Sequence, residues 1–162
     1  MKKCFALFIA MVLLCACAFA EDNLFTGSIL VGTLPKDAQL IRNDESADGY
    51  IEELEYDGLA TIALACFSTS HAMDAYLDEF DPIDETVCDD MPVVCGVEST
   101  HRTFTTGSDE DTCVVNAYSF GAEEHVYLFL VSVDADAYAD EDPGYPELIE
   151  TWLSSLQLSS AQ

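Results

Sequence analysis

Two adjacent hydrophobic patterns near the C-terminus are the clearest structural signals in this chain. Residues 126–133 read Val-Tyr-Leu-Phe-Leu-Val-Ser-Val, a nearly unbroken run that is typical of a strand buried on both faces. Apolar side chains then recur at helical spacing at Tyr145, Leu148, Ile149, Trp152, Leu153 and Leu156. This stripe predicts an amphipathic helix. We expect the helix to pack across a sheet whose central strand is residues 126–133.

A second strand–helix pair is predicted in the middle of the chain. Residues 59–67 are small and apolar, which indicates a buried strand, and Asp57-Gly58 before them is a two-residue hairpin signal. The helical spacing of four apolar residues predicts a helix that Pro82 ends: Met73, Tyr76, Leu77 and Phe80. Residues 83–91 are predicted to be loop, and Gly121-Ala122 a turn.

Further short strands are predicted at residues 27–35, 37–43, 50–56, 93–97, 102–106 and 112–120. Connections of hairpin length make most of the predicted sheet antiparallel. The expected fold class is therefore α+β, with a mostly antiparallel sheet flanked by two helices.

The order of elements resembles that of the PsbP-like domains. The matching features are residues 32–35 (Gly-Thr-Leu-Pro), residues 127–133, and residues 149–158, where an amphipathic helix ends in Leu-Gln-Leu. The resemblance implies an α/β/α sandwich over nearly all of the exported chain. It also implies a non-enzymatic accessory or scaffold role, with no catalytic residues to transfer.

The N-terminus has the pattern of a secretory signal peptide. Lys2 and Lys3 precede an apolar run, and Ala18-Phe-Ala20 is a small-x-small cleavage site. We expect residues 1–20 to be removed and residues 21–162 to form one exported domain. The alternative is lipidation at Cys17, because residues 14–17 (Leu-Cys-Ala-Cys) resemble a bacterial lipobox. The expected location is therefore outside the cell or in its envelope.

The charge of the chain is strongly negative. The formal net charge is −26, and beyond residue 20 only Lys36, Arg42 and Arg102 oppose the acidic residues. Nucleic acids and anionic lipid surfaces are poor partners for such a surface, whereas a basic protein or a cation is a good one. No later segment is long and apolar enough to form a transmembrane helix. We expect a monomer.

Four cysteines follow the signal peptide, an even number that predicts two disulfides in an exported domain. Three connectivities are open, and we favour Cys88–Cys95, which closes a short loop, with Cys66–Cys113 joining two strands. A zinc site made of these cysteines is disfavoured, because no Cys-x-x-Cys pair is present.

Residues 134–142 carry alternating acids that offer a weak calcium site: Asp134, Asp136, Asp140 and Asp142. The EF-hand pattern fails, because Ala139 stands where glycine is required and Tyr145 where a bidentate glutamate is required. A solvated loop is the favoured interpretation, so no cofactor is expected, with Ca²⁺ as the alternative.

Catalytic motifs are weak in this sequence. The neighbouring Cys66 and His71 form the best nucleophile–base candidate, but exported thiols seldom stay reduced. No Gly-x-Ser-x-Gly and no glycine-rich phosphate loop is present. The sequence therefore favours a non-catalytic binding domain that engages a protein or cation through its acidic surface. The alternatives are a lipid-anchored envelope protein and a secreted hydrolase with clustered carboxylates.

Overall fold

The structure is a computed structural model that describes residues 24–26, 29–35, 37–108, 111–139 and 144–159. The predicted signal peptide, the lipidation candidate Cys17, and the acids Asp140 and Asp142 lie outside these ranges.

A seven-stranded sheet, antiparallel throughout, forms the centre of the molecule. In spatial order its strands are β3 (Gln39–Glu45), β4 (Gly49–Tyr56), β5 (Ala60–Phe67), β11 (His125–Asp134), β10 (Cys113–Ala122), β9 (Thr100–Thr106) and β6 (Ile83–Val87). The middle position belongs to β11, so the prediction of a central strand over residues 126–133 is confirmed. Residues 128–131 are fully buried, as their continuous apolar character requires.

Helices cover both faces of this sheet. They are α1 (Ser70–Asp78), α2 (Ala135–Ala139) and α3 (Tyr145–Ser155). Trp152 of α3 is 4% exposed and packs in one core with Phe129, while Met73 of α1 packs in a second core with Leu128. Phe129 and Leu128 are neighbours on β11, and successive side chains of a strand point to opposite faces of the sheet. The same strand therefore contributes side chains to both cores. The predicted α+β sandwich is confirmed.

The N-cap of α1 is Thr69. Thr69 Oγ1 accepts a hydrogen bond from the Ala72 N–H at 3.1 Å, which satisfies one of the free donors of the first turn. Among the described residues, no helix has both the length and the apolar character that crossing a membrane requires.

Two small sheets lie beside the main one. One consists of β1 (Leu24–Thr26), β2 (Leu30–Thr33) and β12 (Gln157–Leu158), and the other of β7 (Val93–Val94) and β8 (Val97–Glu98). The prediction of one strand over residues 93–97 is wrong. Cys95 and Gly96 have φ of 53° and 80°, so the backbone reverses there in a tight hairpin turn.

Two other local predictions are wrong. Residues 83–91 contain β6, an edge strand whose five residues are all exposed, so no apolar periodicity marked it. The turn predicted at Gly121-Ala122 instead lies at Glu123 and Glu124, with φ of 52° and 67°. Long-range pairing of both strands with their neighbours determines that position, although glycine favours positive φ more than glutamate does.

Candidate functional site

A cleft of about 450 Å³ lies between α1 and the β3–β4 hairpin, and we call it the α1 groove. Its apolar floor includes Ile51 of β4, Phe67 of β5 and Tyr76 of α1. The charged side chains and the histidine of its rim are Asp44, Asp48, Glu79, Arg42 and His71. An apolar floor with a few polar groups at the edge is typical of a binding site.

A hydrogen-bond network holds one end of the groove. Glu53 Oε1 accepts a hydrogen bond from Tyr76 Oη at 3.0 Å and lies 3.1 Å from Arg42 Nη1. Burial, together with the Glu53 carboxylate, raises the pKa of Tyr76, so this hydroxyl stays protonated. Arg42 also pairs with Asp44. The one arginine of the groove is therefore shared by two carboxylates, which leaves the rim negative.

A second cleft, of about 240 Å³, lies on the opposite face of the sheet beside α3. The polar and aromatic side chains that line it include Asp90, His101, Asn116, Tyr118, Tyr138 and Glu150. His101 stacks on Tyr118 with ring centroids 4.3 Å apart. Its Nε2 lies 3.2 Å from Asn116 Oδ1, and its Nδ1 lies 3.0 Å and 3.1 Å from the two oxygens of Asp90.

Cys88 completes a group of potential metal ligands at this cleft. One ligand atom each from Cys88, Asp90 and His101 lie within 4.8 Å of one another. Sequence reasoning missed this group, because no metal-binding spacing joins residues 88, 90 and 101. Only the pairing of β6 with β9 brings the three together.

The predicted disulfides are not present among the four described cysteines. The pairing of Cys66 with Cys113 is wrong. Cys66 pairs with Tyr127 on β11, whereas Cys113 of β10 pairs with Asp134, seven residues further along β11. That offset is about 24 Å at ~3.4 Å per residue, far beyond the ~7 Å that a disulfide allows between Cα atoms.

Cys88 and Cys95 are also free thiols in this structure. Cys88 lies beside His101, while Cys95 packs against the core below α3. Burial raises the pKa of the Cys66 and Cys88 thiols, and it raises the pKa of Cys95 to about 11. All three thiols are therefore poor nucleophiles at neutral pH in the reduced protein.

The predicted acidic cation loop is described only in its first half. Asp134 Oδ1 accepts hydrogen bonds from the backbone N–H groups of Asp136 and Ala137, both at 3.0 Å. This oxygen therefore caps the first turn of α2. Asp134 also lines a cleft of about 430 Å³ with Glu55 and Asp111. The calcium assignment stays a prediction, because Asp140 and Asp142 lie outside the described ranges.

The Cys66–His71 candidate pair is separated by the sheet. Cys66 packs against the core on the α3 face, whereas His71 belongs to α1, which covers the other face. A nucleophile and its base must lie within hydrogen-bonding reach, so these two side chains do not form a catalytic pair.

Comparisons with known proteins identify no family for this chain. No protein-family model matches it, and no curated protein matches it. Among solved structures, it is similar to LpqN of Mycobacterium tuberculosis, a protein described as involved in cell envelope biogenesis. The TM-score is 0.45, the identity is 9%, and the match covers 84% of this chain and 87% of LpqN. The class that fold and clefts define is an α+β sandwich with an acidic groove.

Proposed function

We propose that this protein is an exported, non-catalytic accessory domain of the PsbP-like type, and that its α1 groove binds a basic segment of a partner protein. The observation that carries the proposal is the combination of an apolar floor and an acidic rim in one cleft. A segment with one large apolar side chain flanked by lysine or arginine has the complementary chemistry.

The charge distribution supports a cationic partner. Both arginines of the exported chain contact two carboxylates each: Arg42 lies near Asp44 and Glu53, and Arg102 lies near Asp74 and Glu85. The remaining acids give the surface a large negative potential. Such a field accelerates encounters with basic proteins and weakens as salt is added, because the Debye length falls to about 8 Å at physiological ionic strength.

Two sequence features support export. The predicted signal peptide at residues 1–20 supports a location outside the cytoplasm, and cleavage after Ala20 would release the domain. Acylation at Cys17 would instead hold the same domain at the envelope. Mass spectrometry of the purified protein distinguishes them: a free Glu21 N-terminus indicates release, and a lipid-modified Cys17 indicates an anchor.

A binding experiment tests the groove. The probe is a fluorescein-labelled lysine-rich peptide with one central phenylalanine. We expect Asp48→Asn with Glu79→Gln to weaken binding about fivefold to tenfold, since exposed charge pairs contribute about 0.2–1 kcal/mol each. The control, Glu98→Gln with Glu147→Gln, removes two exposed charges away from the groove and should change the affinity less than twofold.

A steric variant separates the groove from the general acidic field. Ala75 is exposed and lines the cleft, so Ala75→Phe fills the groove without disturbing the core. We expect this variant to abolish binding of the phenylalanine peptide. Equal affinity for the wild type, Ala75→Phe and the rim variant would contradict the proposal.

A further inference from the structure

The end of the β6–β9 ladder places a thiol beside an imidazole. Val87 pairs with Arg102, and the Cys88 N–H donates to the His101 carbonyl at 2.9 Å, which extends the ladder by one residue pair. Side chains directly opposite in an antiparallel pair project from the same face, with Cβ atoms about 4.5–5.5 Å apart. Cys88 and His101 are therefore neighbours by register, not by chance contact of loops.

Asp90 completes the arrangement from the chain that leaves β6. Both of its carboxylate oxygens lie within 3.1 Å of His101 Nδ1, and the cluster with Cys88 Sγ fits inside 4.8 Å. Two ligands of one tetrahedral zinc ion are about 3.3 Å apart for metal–ligand distances near 2.0 Å. The three ligand atoms lie within 4.8 Å of one another, so small side-chain rotations bring them to the spacing that a shared ion requires.

The surroundings of His101 orient its ring for a cation at Nδ1. Asn116, only 5% exposed, directs Oδ1 to His101 Nε2, while its Nδ2 faces Tyr138 Oη at 3.5 Å. Asn116 thus contacts the Nε2 edge of the ring, and the Nδ1 edge faces the Asp90 carboxylate.

We infer that Cys88 Sγ, an Asp90 carboxylate oxygen and His101 Nδ1 bind one transition-metal ion, for which Zn²⁺ is the best match. Sulfur, nitrogen and oxygen ligands together suit zinc and disfavour calcium or magnesium, which require oxygen ligands. The Asn116 carbonyl acts as the outer partner that metal-bound histidines usually have.

Three protein ligands leave a fourth position for water or an added ligand. Asp90 and His101 also line the 240 Å³ cleft, so we assign that position to the cleft side, near Tyr138 and Glu150. This site lies on the opposite face of the sheet from the α1 groove and does not depend on peptide binding there.

Titration of the purified protein with Zn²⁺ alone, and separately with Co²⁺, tests the site. We expect one ion per chain, with a near-ultraviolet thiolate-to-cobalt charge-transfer band that reports the sulfur ligand. Cys88→Ser, Asp90→Asn and His101→Gln should each weaken Zn²⁺ binding at least tenfold, and Cys88→Ser should abolish the cobalt band. Asn116→Ala should weaken binding about tenfold to a hundredfold while the band remains.

Matched controls are available for each ligand. Cys113→Ser, Asp78→Asn and His125→Gln change the same residue types outside the cluster and should bind Zn²⁺ as the wild type does. A large excess of Ca²⁺ should displace ions from the acidic surface but not from this site. Retained folding of each variant is checked by far-ultraviolet circular dichroism.

Three results would overturn the inference. They are equal Zn²⁺ affinity in the ligand and control variants, complete displacement by Ca²⁺, and a Cys88–Cys95 disulfide in the exported protein, found by peptide mapping without reduction. Unchanged Zn²⁺ binding by Cys88→Ser counts as the first of these results even if the cobalt band is lost, because the sulfur would then not contribute to zinc binding. None of these outcomes alters the expected result of the peptide experiment.

Discussion

Replacing Trp152 by alanine tests the packing on which the α3 face depends. Trp152 is 4% exposed and meets Tyr56 edge-to-face, with ring centroids 5.6 Å apart and planes at 86°. The variant removes the largest side chain of α3 from the core that this helix shares with β11.

The magnitude follows from the buried area. Removing about 200 Å² of indole surface at ~25 cal/mol per Å² costs about 5 kcal/mol. Correcting for surface already buried in the unfolded chain reduces this value by roughly 10–40%, to about 3–4.5 kcal/mol. That range agrees with the ~3–5 kcal/mol found for buried aromatic-to-alanine changes. A domain of this size has about 5–15 kcal/mol of stability, so the variant should still fold.

Urea unfolding followed by far-ultraviolet circular dichroism measures the loss in the free energy of unfolding of Trp152→Ala. The midpoint should fall while the slope stays constant, since the same surface becomes exposed on unfolding. Leu40→Ala, on the outer strand β3 where the side chain is 54% exposed, is the control and should cost under about 1 kcal/mol. Trp152 is the only tryptophan, so native emission should be blue-shifted. A loss below about 1.5 kcal/mol, or solvent-like emission, would refute the packing.

Three other predictions follow from individual contacts. Glu123 and Glu124 both have positive φ, a backbone conformation that asparagine and glycine adopt with less strain. Glu123→Asn with Glu124→Gly should therefore raise the free energy of unfolding, measured by urea titration, by about 1 kcal/mol. No gain would contradict the turn geometry. Tyr145 Oη donates to both Asp57 oxygens at 2.8 Å and 2.7 Å, so Tyr145→Phe should cost about 1–2 kcal/mol. Burial raises the pKa of Tyr145 above its ordinary 10.0. The contribution of the neutral hydroxyl to the free energy of unfolding is therefore complete below pH 10 and is lost as the pH rises further. Stability should fall less steeply at alkaline pH in Tyr145→Phe than in the wild type. Burial raises the pKa of Cys95 from its ordinary 9.0 to about 11. In the reduced protein, this thiol should therefore react with iodoacetamide at pH 8 about a hundredfold more slowly than an exposed thiol. Equal rates would contradict its burial.

Local signals were strong where side-chain periodicity and turn chemistry agreed. Asp57 and Gly58 form the predicted turn, with φ of 50° and 77°, because an Asp-Gly pair tolerates two positive φ values. Edge strand β6 had no such signal, since both of its faces meet solvent and no alternation is imposed. The two-glutamate turn was missed for a related reason: strand pairing outweighed the local preference of glutamate.

The clefts depend on distant parts of the chain. The α1 groove combines Asp48 before β4 with Glu79 after α1, and the metal cluster combines Cys88 with His101. Sequence reasoning considered Cys88 mainly as a disulfide partner, because spacing along the chain contains no information on which strands pair. The register of β9 against β6 supplies that information.

By itself, the sequence determined the central strand, the amphipathic helix with Trp152 at its middle, the acidic surface and the α+β class. Those features depend on side-chain period and composition, which are local or additive. The tertiary structure alone decided that Cys66 and Cys113 lie at opposite ends of the sheet and that Cys88, Asp90 and His101 converge. Strand order and register cause both results, because they arise from packing the whole chain around two cores.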